Sequence, residues 1–534
     1  MPNDFLWWRD GVVYQIYPRS FADSNGDGIG DLPGITGKLD YLADLGIDAI
    51  WLSPINPSPD VDFGYDVSDY KAIDPKYGTM DDFYNLTEQA HQRKIRVILD
   101  LVLNHTSDQH PWFVESRSSR DNPRRDWYLW RDNPSSKSLP PNNWKSVFGG
   151  KGWEYDKKTG QYYYHMFDKQ QPDLNWRNPA VREEMMSVFR FWVERGVDGF
   201  RLDVFNEYFK DAQFRDNPKK WGIQPFDQQK HLYDTDQPEM MGVVSEIRQI
   251  LDEYPERYAV GETFMADAKK AAKYSGEGKL HATFDFSFMH NPWNPERFLK
   301  SILETEKLFT EKSWPNYVMN NHDNPRSATR YKTPDNDERL KVAAGMLLTL
   351  RGTPFLYAGE EIGMRDTSVS RSEIQDPIGL HYWPMHKGRD GCRSPMQWST
   401  ESQAGFTQGK PWLKVHPNYL KRNVTLQKAD PKSLFNFYRA ILHLRKSNSA
   451  LRQGMFIPLT YHPKQVLGYL RQDSDQTVLV ALNFGWRKVK LALGLKLGDT
   501  KWELLLSNKR QTTPQVVNGW LQLQGDEVCI LLQK

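Results

Sequence analysis

The sequence predicts an α/β fold: a (β/α)8 barrel with an inserted subdomain after its third strand and a C-terminal antiparallel β domain. Three observations predict it. Eight short apolar runs, at residues 12–18, 47–54, 95–104, 197–205, 257–264, 282–288, 316–323 and 353–360, read as near-continuous hydrophobic stretches. Strands covered on both faces of a parallel sheet have this pattern. Amphipathic helical segments stand between them. Beyond residue 451 the chain changes to short alternating runs, such as 465–470 and 477–482, the signature of antiparallel pairing.

The helical segments cover residues 38–45, 79–93, 179–195, 239–253, 296–309, 337–350 and 434–445. Two helix-to-strand joints share one design, Leu45-Gly46-Ile47-Asp48 and Arg195-Gly196-Val197-Asp198. Glycine there takes a left-handed backbone at little steric cost and turns the chain into the next strand. Eight strand–helix units close into a barrel, with an open doubly wound sheet as the alternative. The barrel is assigned to residues 1–105 and 177–450. Residues 106–176, rich in Trp, Asn, Pro and Tyr, are too long for an ordinary βα loop and form a small lid-like subdomain. Residues 363–432 make a second long excursion, and 451–534 a C-terminal β-sandwich.

Composition excludes several classes of function. The 534 residues include only 2 Cys, which rules out a framework of several disulfides. Lys and Arg number 70 against 68 Asp and Glu, so net charge gives no general reason to bind nucleic acid or an anionic membrane. No apolar stretch approaches about 18 residues, and the start lacks a cationic region followed by an apolar segment and cleavage site; the expected location is the cytoplasm. Aromatic residues make up 13% of the chain, while mean hydropathy is only −0.72. Core packing accounts for most of them. A cleft where flat rings meet pyranose faces beside carboxylates accounts for an excess.

In a barrel, active sites sit at the C-terminal ends of the strands. The third run ends in Asp100 and His105, the fourth in Arg201 and Asp203, the fifth in Glu262, the seventh in His322 and Asp323. Any one of these alone reads as a solvated loop residue; together they read as a catalytic cluster. Paired carboxylates suit glycoside cleavage, in which one protonates the leaving oxygen and the other attacks or stabilises the anomeric carbon. Clustered negative charge also raises the pKa of one member and keeps an acid available near neutral pH.

The segments Asp100-Leu-Val-Leu-Asn-His105, Gln171-Pro-Asp-Leu-Asn175, Gly199-Phe-Arg-Leu-Asp203, Gly261-Glu262-Thr263 and Asn321-His-Asp323 occur in that order. Together they resemble the α-amylase family of glycoside hydrolases (family 13), in its oligo-1,6-glucosidase and α-glucosidase branch, over essentially the whole chain. The resemblance implies Asp203 as nucleophile of a covalent β-glucosyl-enzyme, Glu262 as general acid and then base, and Asp323 as stabiliser of the distorted sugar. The outcome would be retention. It implies that His105 and His322 hydrogen-bond the same glucose, and that Arg201 lies beside Asp203 and favours its charged form. Asp100 is expected to support the barrel end.

Asp62-Phe-Gly-Tyr65-Asp66 matches the family's segment after the second strand. By resemblance Tyr65 stacks beneath the first glucose and Asp62 binds its far hydroxyls. Arg393 matches the arginine that pairs with that aspartate, which closes the inner end of a pocket and implies exo action. Phe148, Phe167 and Trp144 in the inserted subdomain are candidates for sugar contact or for packing of that subdomain. Val204, after the nucleophile, matches the oligo-1,6-glucosidase type, although Val204-Phe205-Asn206-Glu207 departs from the branch's usual Val-Ile-Asn. Activity is therefore expected on both α-1,6 and α-1,4 glucosides.

In Asp23-Ser-Asn25-Gly-Asp27-Gly-Ile29-Gly-Asp31, oxygen donors recur at every second position, like the start of a calcium loop without the closing Glu. The alternative is a solvated Asp/Gly turn. The family resemblance implies a structural Ca2+ or Mg2+ held by Asp23, Asn25, Asp27, Asp31 and the Ile29 carbonyl, and no organic cofactor. The main expectation is a retaining exo-α-glucosidase acting on small oligosaccharides. Its rival is a glucosyltransferase or sucrose/maltose isomerase with the same glucosyl-enzyme, decided by loops 210–236 and 363–432. A non-catalytic transporter subunit would need a membrane segment and often lacks the carboxylates; neither condition is met.

Overall fold

The computed structural model describes residues 5–132, 139–265, 267–310, 313–332, 337–460, 462–498 and 500–534. Its centre is a ring of eight strands: β1 (Val13–Ile16), β2 (Ala49–Leu52), β3 (Arg96–Leu101), β4 (Gly199–Leu202), β5 (Tyr258–Glu262), β6 (Ala282–Phe284), β7 (Asn316–Val318) and β8 (Thr353–Tyr357). All pair in parallel in the order β7-β8-β1-β2-β3-β4-β5-β6. β6 and β7 end that order and lie side by side, which completes the barrel.

The period-two alternation of side chains explains the near-continuous apolar runs. Val13, Ala49, Trp51, Ile98, Val260, Phe284, Val318 and Phe355 fill the barrel interior. Their neighbours Tyr14, Ile50, Leu52, Val97, Leu99, Phe200 and Leu202 face outward and pack under the helices. The N-terminal end of the barrel is plugged by aromatics: Trp8 stacks on Tyr258 at 5.7 Å and Trp7 meets it edge-on at 5.6 Å.

The helices begin and end where local chemistry requires. Thr79 and Asp82 form a reciprocal capping box before Met80–Gln92, and Asn178 caps Pro179–Val193 with proline at the first turn. Gly46 and Gly196 have φ of +100° and +93°, as their joints require. A short helix absent from the sequence reading, Ala268–Lys273, follows β5 with Asp267 as its cap. Several strands are also shorter than their apolar runs. The ladder stops at Phe284 in β6 and at Val318 in β7, so His322 and Asp323 sit on a loop beyond the strand.

Within the inserted segment, Trp130–Arg131, Gln161–Tyr164 and Trp153–Asp156 form a three-stranded antiparallel sheet. Its aromatics Trp144, Phe148, Trp153, Tyr164 and Phe167 share one cluster with Val204 and Phe226, which sets this unit over the β4 end of the barrel. Beyond residue 454, a five-stranded and a three-stranded antiparallel sheet pack face to face through Leu479, Ala481, Leu491, Leu521, Leu523 and Leu531. Tyr469, Val480, Leu482 and Ile530, on the other face, join the barrel's helical core. Arg445 is fully buried at this junction and donates to the Leu348, Leu350 and Leu451 carbonyls at 3.0, 2.8 and 2.9 Å. Among the described residues, no helix is long and apolar enough to cross a membrane.

Glu360 follows β8 and is buried, accepting from the Tyr438 hydroxyl at 3.0 Å and from the Tyr357 amide at 3.3 Å. Burial pushes its carboxyl up to about 7. An exposed Glu titrates near about 4.3, so the folded state binds the extra proton between these values. The resulting stabilisation is complete below about 4.3 and is lost as pH rises through the folded value. Glu360→Gln should therefore raise Tm at pH 8 and leave it nearly unchanged at pH 4; calorimetry at the two pH values checks this, and equal shifts would contradict it.

Candidate active site

Alternation along β3, β4 and β5 turns Asp100, Arg201 and Glu262 inward at the open end of the barrel, one layer above Ile98, Gly199 and Val260. Gly199 is required beneath Arg201, because a Cβ there would stand 2.8 Å from the Tyr258 carbonyl oxygen. Arg201 is buried and gathers three carboxylates. Its Nη1 donates to Asp100 Oδ1 and to Asp203 Oδ1, both at 2.7 Å, while Nη2 donates to Glu262 Oε2. Asp100 is further held by the Tyr65 hydroxyl at 3.1 Å and Trp51 Nε1 at 3.3 Å, the supporting role expected of it.

Asp203 lies one residue past β4, where its amide donates to the Leu101 carbonyl at 3.0 Å. The next residue, Val204, has φ +35° and ψ +42°. A β-branched side chain rarely occupies this left-handed region, so the turn behind Asp203 is strained. Burial pushes the carboxyls of both Asp203 and Glu262 above the ordinary range; Arg201 opposes the shift, and neighbouring carboxylates reinforce it. Three carboxylates around one guanidinium leave an excess of negative charge, so a proton is readily shared by the Asp203–Glu262 pair.

Asp323 occupies the opposite electrostatic setting. Its Oδ1 accepts from Arg393 Nη2 at 2.8 Å and Arg389 Nη1 at 3.2 Å, and Oδ2 lies 3.2 Å from His322 Nε2. Burial opposes ionisation here, yet the guanidinium groups of Arg389 and Arg393, with the His322 ring beside Oδ2, more than offset it and hold the carboxyl well below the usual range. His322 stacks on Tyr65, with ring centroids 5.3 Å apart, and sits between Gln15 Nε2 at 2.7 Å and the Tyr65 hydroxyl at 2.6 Å. Burial pushes it down to about 3. His105, pushed by burial down to about 4, has Nε2 3.0 Å from the Tyr65 carbonyl and 3.1 Å from Gln171 Nε2.

The pairing of Asp62 with Arg393 expected from the sequence is corrected: Asp62 Oδ1 accepts from Arg389 Nη2 at 2.6 Å. The Arg393 amide lies 3.3 Å from the Arg389 carbonyl in a tight turn, and the two side chains share Asp323 but differ in their other partners. Arg389 bridges Asp62 and Asp376, the latter at 2.6 Å, whereas Arg393 reaches deeper to the His322 carbonyl at 2.9 Å and to Asp323. Arg389 carries no role in the sequence analysis above. Its one signal is the four-residue spacing to Arg393.

These groups converge on a cavity of about 630 Å3. Asp203, Glu262, Asp323, Asp62, Tyr65, His105, Phe148 and Phe167 line it, as does Val204. Arg201, His322 and Arg393 do not; they lie buried behind the wall, where they position the lining carboxylates. Trp144 also stays outside, packed against Trp153 and donating to the Arg215 carbonyl at 2.9 Å. Phe264, Phe286 and His386, on irregular loops, and Ile378, on the short helix Pro377–Tyr382, complete the outer wall; none belongs to a motif legible in the sequence.

The loop 23–31 stands away from this cavity. Asp23 Oδ1 accepts from the Asn25 and Gly26 amides at 3.0 and 2.7 Å, and Asp27 Oδ1 from the Ile29 amide at 2.8 Å. Asp31 caps the helix Leu32–Thr36 through the Gly34 amide at 2.6 Å. Among the described residues, no three His, Cys, Asp or Glu side chains converge as a metal centre. The donors are nonetheless all oxygens, which suits a hard cation.

A family model described as the α-amylase catalytic domain matches residues 15–454. The chain is 43% identical over 495 residues to a probable α-glucosidase of Rhizobium meliloti, with 89% of each chain covered. It is 39% identical over 539 residues to an oligo-1,6-glucosidase of Parageobacillus thermoglucosidasius, covering 94% of this chain and 95% of the relative. Among solved structures, an α-glucosyl transfer enzyme, XgtA, superposes with a TM-score of 0.94 at 40% identity, over 99% of this chain and 100% of the other. With its parallel barrel and convergent carboxylates, the chain belongs to the α-amylase family of glycoside hydrolases.

Proposed function

We propose that the protein is a retaining exo-α-glucosidase that releases terminal non-reducing α-D-glucosyl residues, joined α-1,4 or α-1,6, from short oligosaccharides. One observation carries this reading: a single buried guanidinium holds Asp203 and Glu262 at the foot of a cavity whose wall includes the Asp62–Arg389 ion pair. Retaining pairs stand about 5–5.5 Å apart and inverting pairs about 6.5–9.5 Å. Two carboxylates gripped by one guanidinium favour the shorter spacing. The closed end admits a chain terminus.

In the first step Asp203 attacks the anomeric carbon while Glu262 gives its proton to the leaving oxygen; in the second, Glu262 takes a proton from water, which displaces Asp203. Asp323, kept ionised, opposes the positive charge that develops on the sugar ring. Arg201 steadies the carboxylate that Asp203 becomes again at the end of the cycle. A sugar acceptor entering in place of water would yield transfer. The aromatic and aliphatic outer wall, with Phe148, Phe167, Phe264, Phe286 and Ile378, and the likeness to a glucosyl transfer enzyme support transglucosylation as a second outcome.

We place the protein in the cytoplasm, a reading supported by Cys392 and Cys529, which are buried and unpaired as a reducing compartment allows. We also propose a structural Ca2+ or Mg2+ on Asp23, Asn25, Asp27, Asp31 and the Ile29 carbonyl, on the strength of that oxygen donor set and apart from the chemistry. Chelation with EDTA should lower Tm, and restored Ca2+ or Mg2+ should recover it; an unchanged Tm would remove this site.

Asp203→Asn should reduce kcat by about 10^3-fold or more, and Glu262→Gln by about 10^2–10^4-fold on sugars with poor leaving groups. The anomer first released by wild type, followed by NMR, should be α-glucose; β-glucose would exclude retention. Val204 lines the cavity beside the nucleophile, so Val204→Thr should lower the ratio of isomaltose to maltose turnover. An unmoved ratio would show that Val204 does not select linkage.

A further inference from the structure

Asn206 follows Asp203 by three residues and is fully buried. Its side-chain amide grips the main chain of Phe264 at both ends: Oδ1 accepts from the Phe264 amide at 2.8 Å, and Nδ2 donates to the Phe264 carbonyl at 3.1 Å. The same Nδ2 lies 3.1 Å from Glu207 Oε1 and 3.3 Å from Asp236 Oδ1, and the Asn206 carbonyl accepts from the Asp236 amide at 2.8 Å. One amide therefore ties together the loop after β4, the loop after β5 and the end of loop 210–236.

The two ends of this clamp are not equivalent to ordinary loop positions. On one side stands Val204, whose left-handed backbone persists only while surrounding contacts enforce it. Those contacts are the Val204 carbonyl, which accepts from the Glu207 amide at 2.9 Å, and the Val204 amide, which points to Glu262 Oε2 at 3.4 Å. On the other side stands Phe264, two residues after Glu262, whose ring meets Phe167 at 5.9 Å in the cavity's outer wall and Phe226, outside that wall, at 6.3 Å.

We propose that Asn206 is a positioning residue which fixes the strained turn behind Asp203 to the strand end that carries Glu262, and holds Phe264 at the place where the acceptor enters. This rests on the glycosidase reading given above. By locking both loops, Asn206 sets the distance between nucleophile and acid, and it sets how the glucosyl-enzyme divides between water and a sugar acceptor. Loosening the clamp lets solvent reach Glu262, which faces Arg201, Asp203, Asp100 and Asp323. Less burial lowers the pKa of a carboxylic acid.

Asn206→Ala should lower kcat by about tenfold to a hundredfold, the scale of a small misplacement of reacting groups. It should also move the alkaline limb of the kcat/KM profile to lower pH and change the ratio of transfer products to free glucose from maltose. Titration of intact sites corrects for any misfolded fraction. Asn206→Ser, which keeps a polar group in the buried position, provides the same readouts if the alanine variant fails to fold. A merely structural role would lower Tm while leaving the pH limb and the product ratio of the intact sites unchanged, and that result would overturn the assignment of Asn206. Wild-type protein that releases no glucose or transfer product from maltose, isomaltose or sucrose would instead overturn the glycosidase reading itself.

Discussion

The buried guanidinium of Arg201 is the contact on which the rest of the site depends. It lies on a barrel strand, so its position is set by the ladder with β3 and β5, and its partners Asp100 and Glu262 come from those same two neighbours. Such burial of unlike charges is tolerated because every carboxylate finds a donor and the cation finds more than one carboxylate. Removing the cation would leave Asp100, Asp203 and Glu262 facing one another in a poorly solvated space. The ion cluster consequently does two things at once: it closes the open end of the barrel, and it keeps two reactive carboxyls at a fixed separation.

A second set of charges balances the first. Arg389 and Arg393 hold Asp62, Asp323 and Asp376, so Asp323 is surrounded by cations, while Asp203 and Glu262 share the single cation Arg201. Asp203, which must be ionised to attack, and Glu262, which must carry the proton, thus share one guanidinium, and residues of the same chemical type are divided into different roles by their neighbours. The two histidines fit the same division: burial keeps both neutral, and they act through hydrogen bonds and stacking.

Much of this was legible in the sequence. The eight apolar runs map onto the eight strands because strands buried on both faces leave a continuous hydrophobic trace, and Gly46 and Gly196 mark their turns because only a left-handed residue serves there. Asp203, Glu262 and Asp323 were recognisable from their placement after the runs and from the segments around them. Three-dimensional closure was less visible. Arg389 and Arg393 are so close in the chain that linear order does not say which of them reaches Asp62. Phe264, on a loop, and Ile378, on a six-residue helix too short for a periodic trace, meet across the barrel mouth by tertiary packing. The helix Ala268–Lys273 is too short to leave a clear amphipathic trace.

The junction at Arg445 alters what the C-terminal sandwich is to the molecule. Arg445 and Arg471 send their guanidinium groups into carbonyls at the end of the helix Glu338–Thr349, immediately before β8, and both also bind the Leu451 carbonyl. The last strand of the barrel is thus anchored by a residue that belongs, along the chain, to a different sheet. Heat or denaturant acting on the sandwich would withdraw that anchor, so the boundary near residue 451 separates two patterns of secondary structure that share one buried, hydrogen-bonded junction.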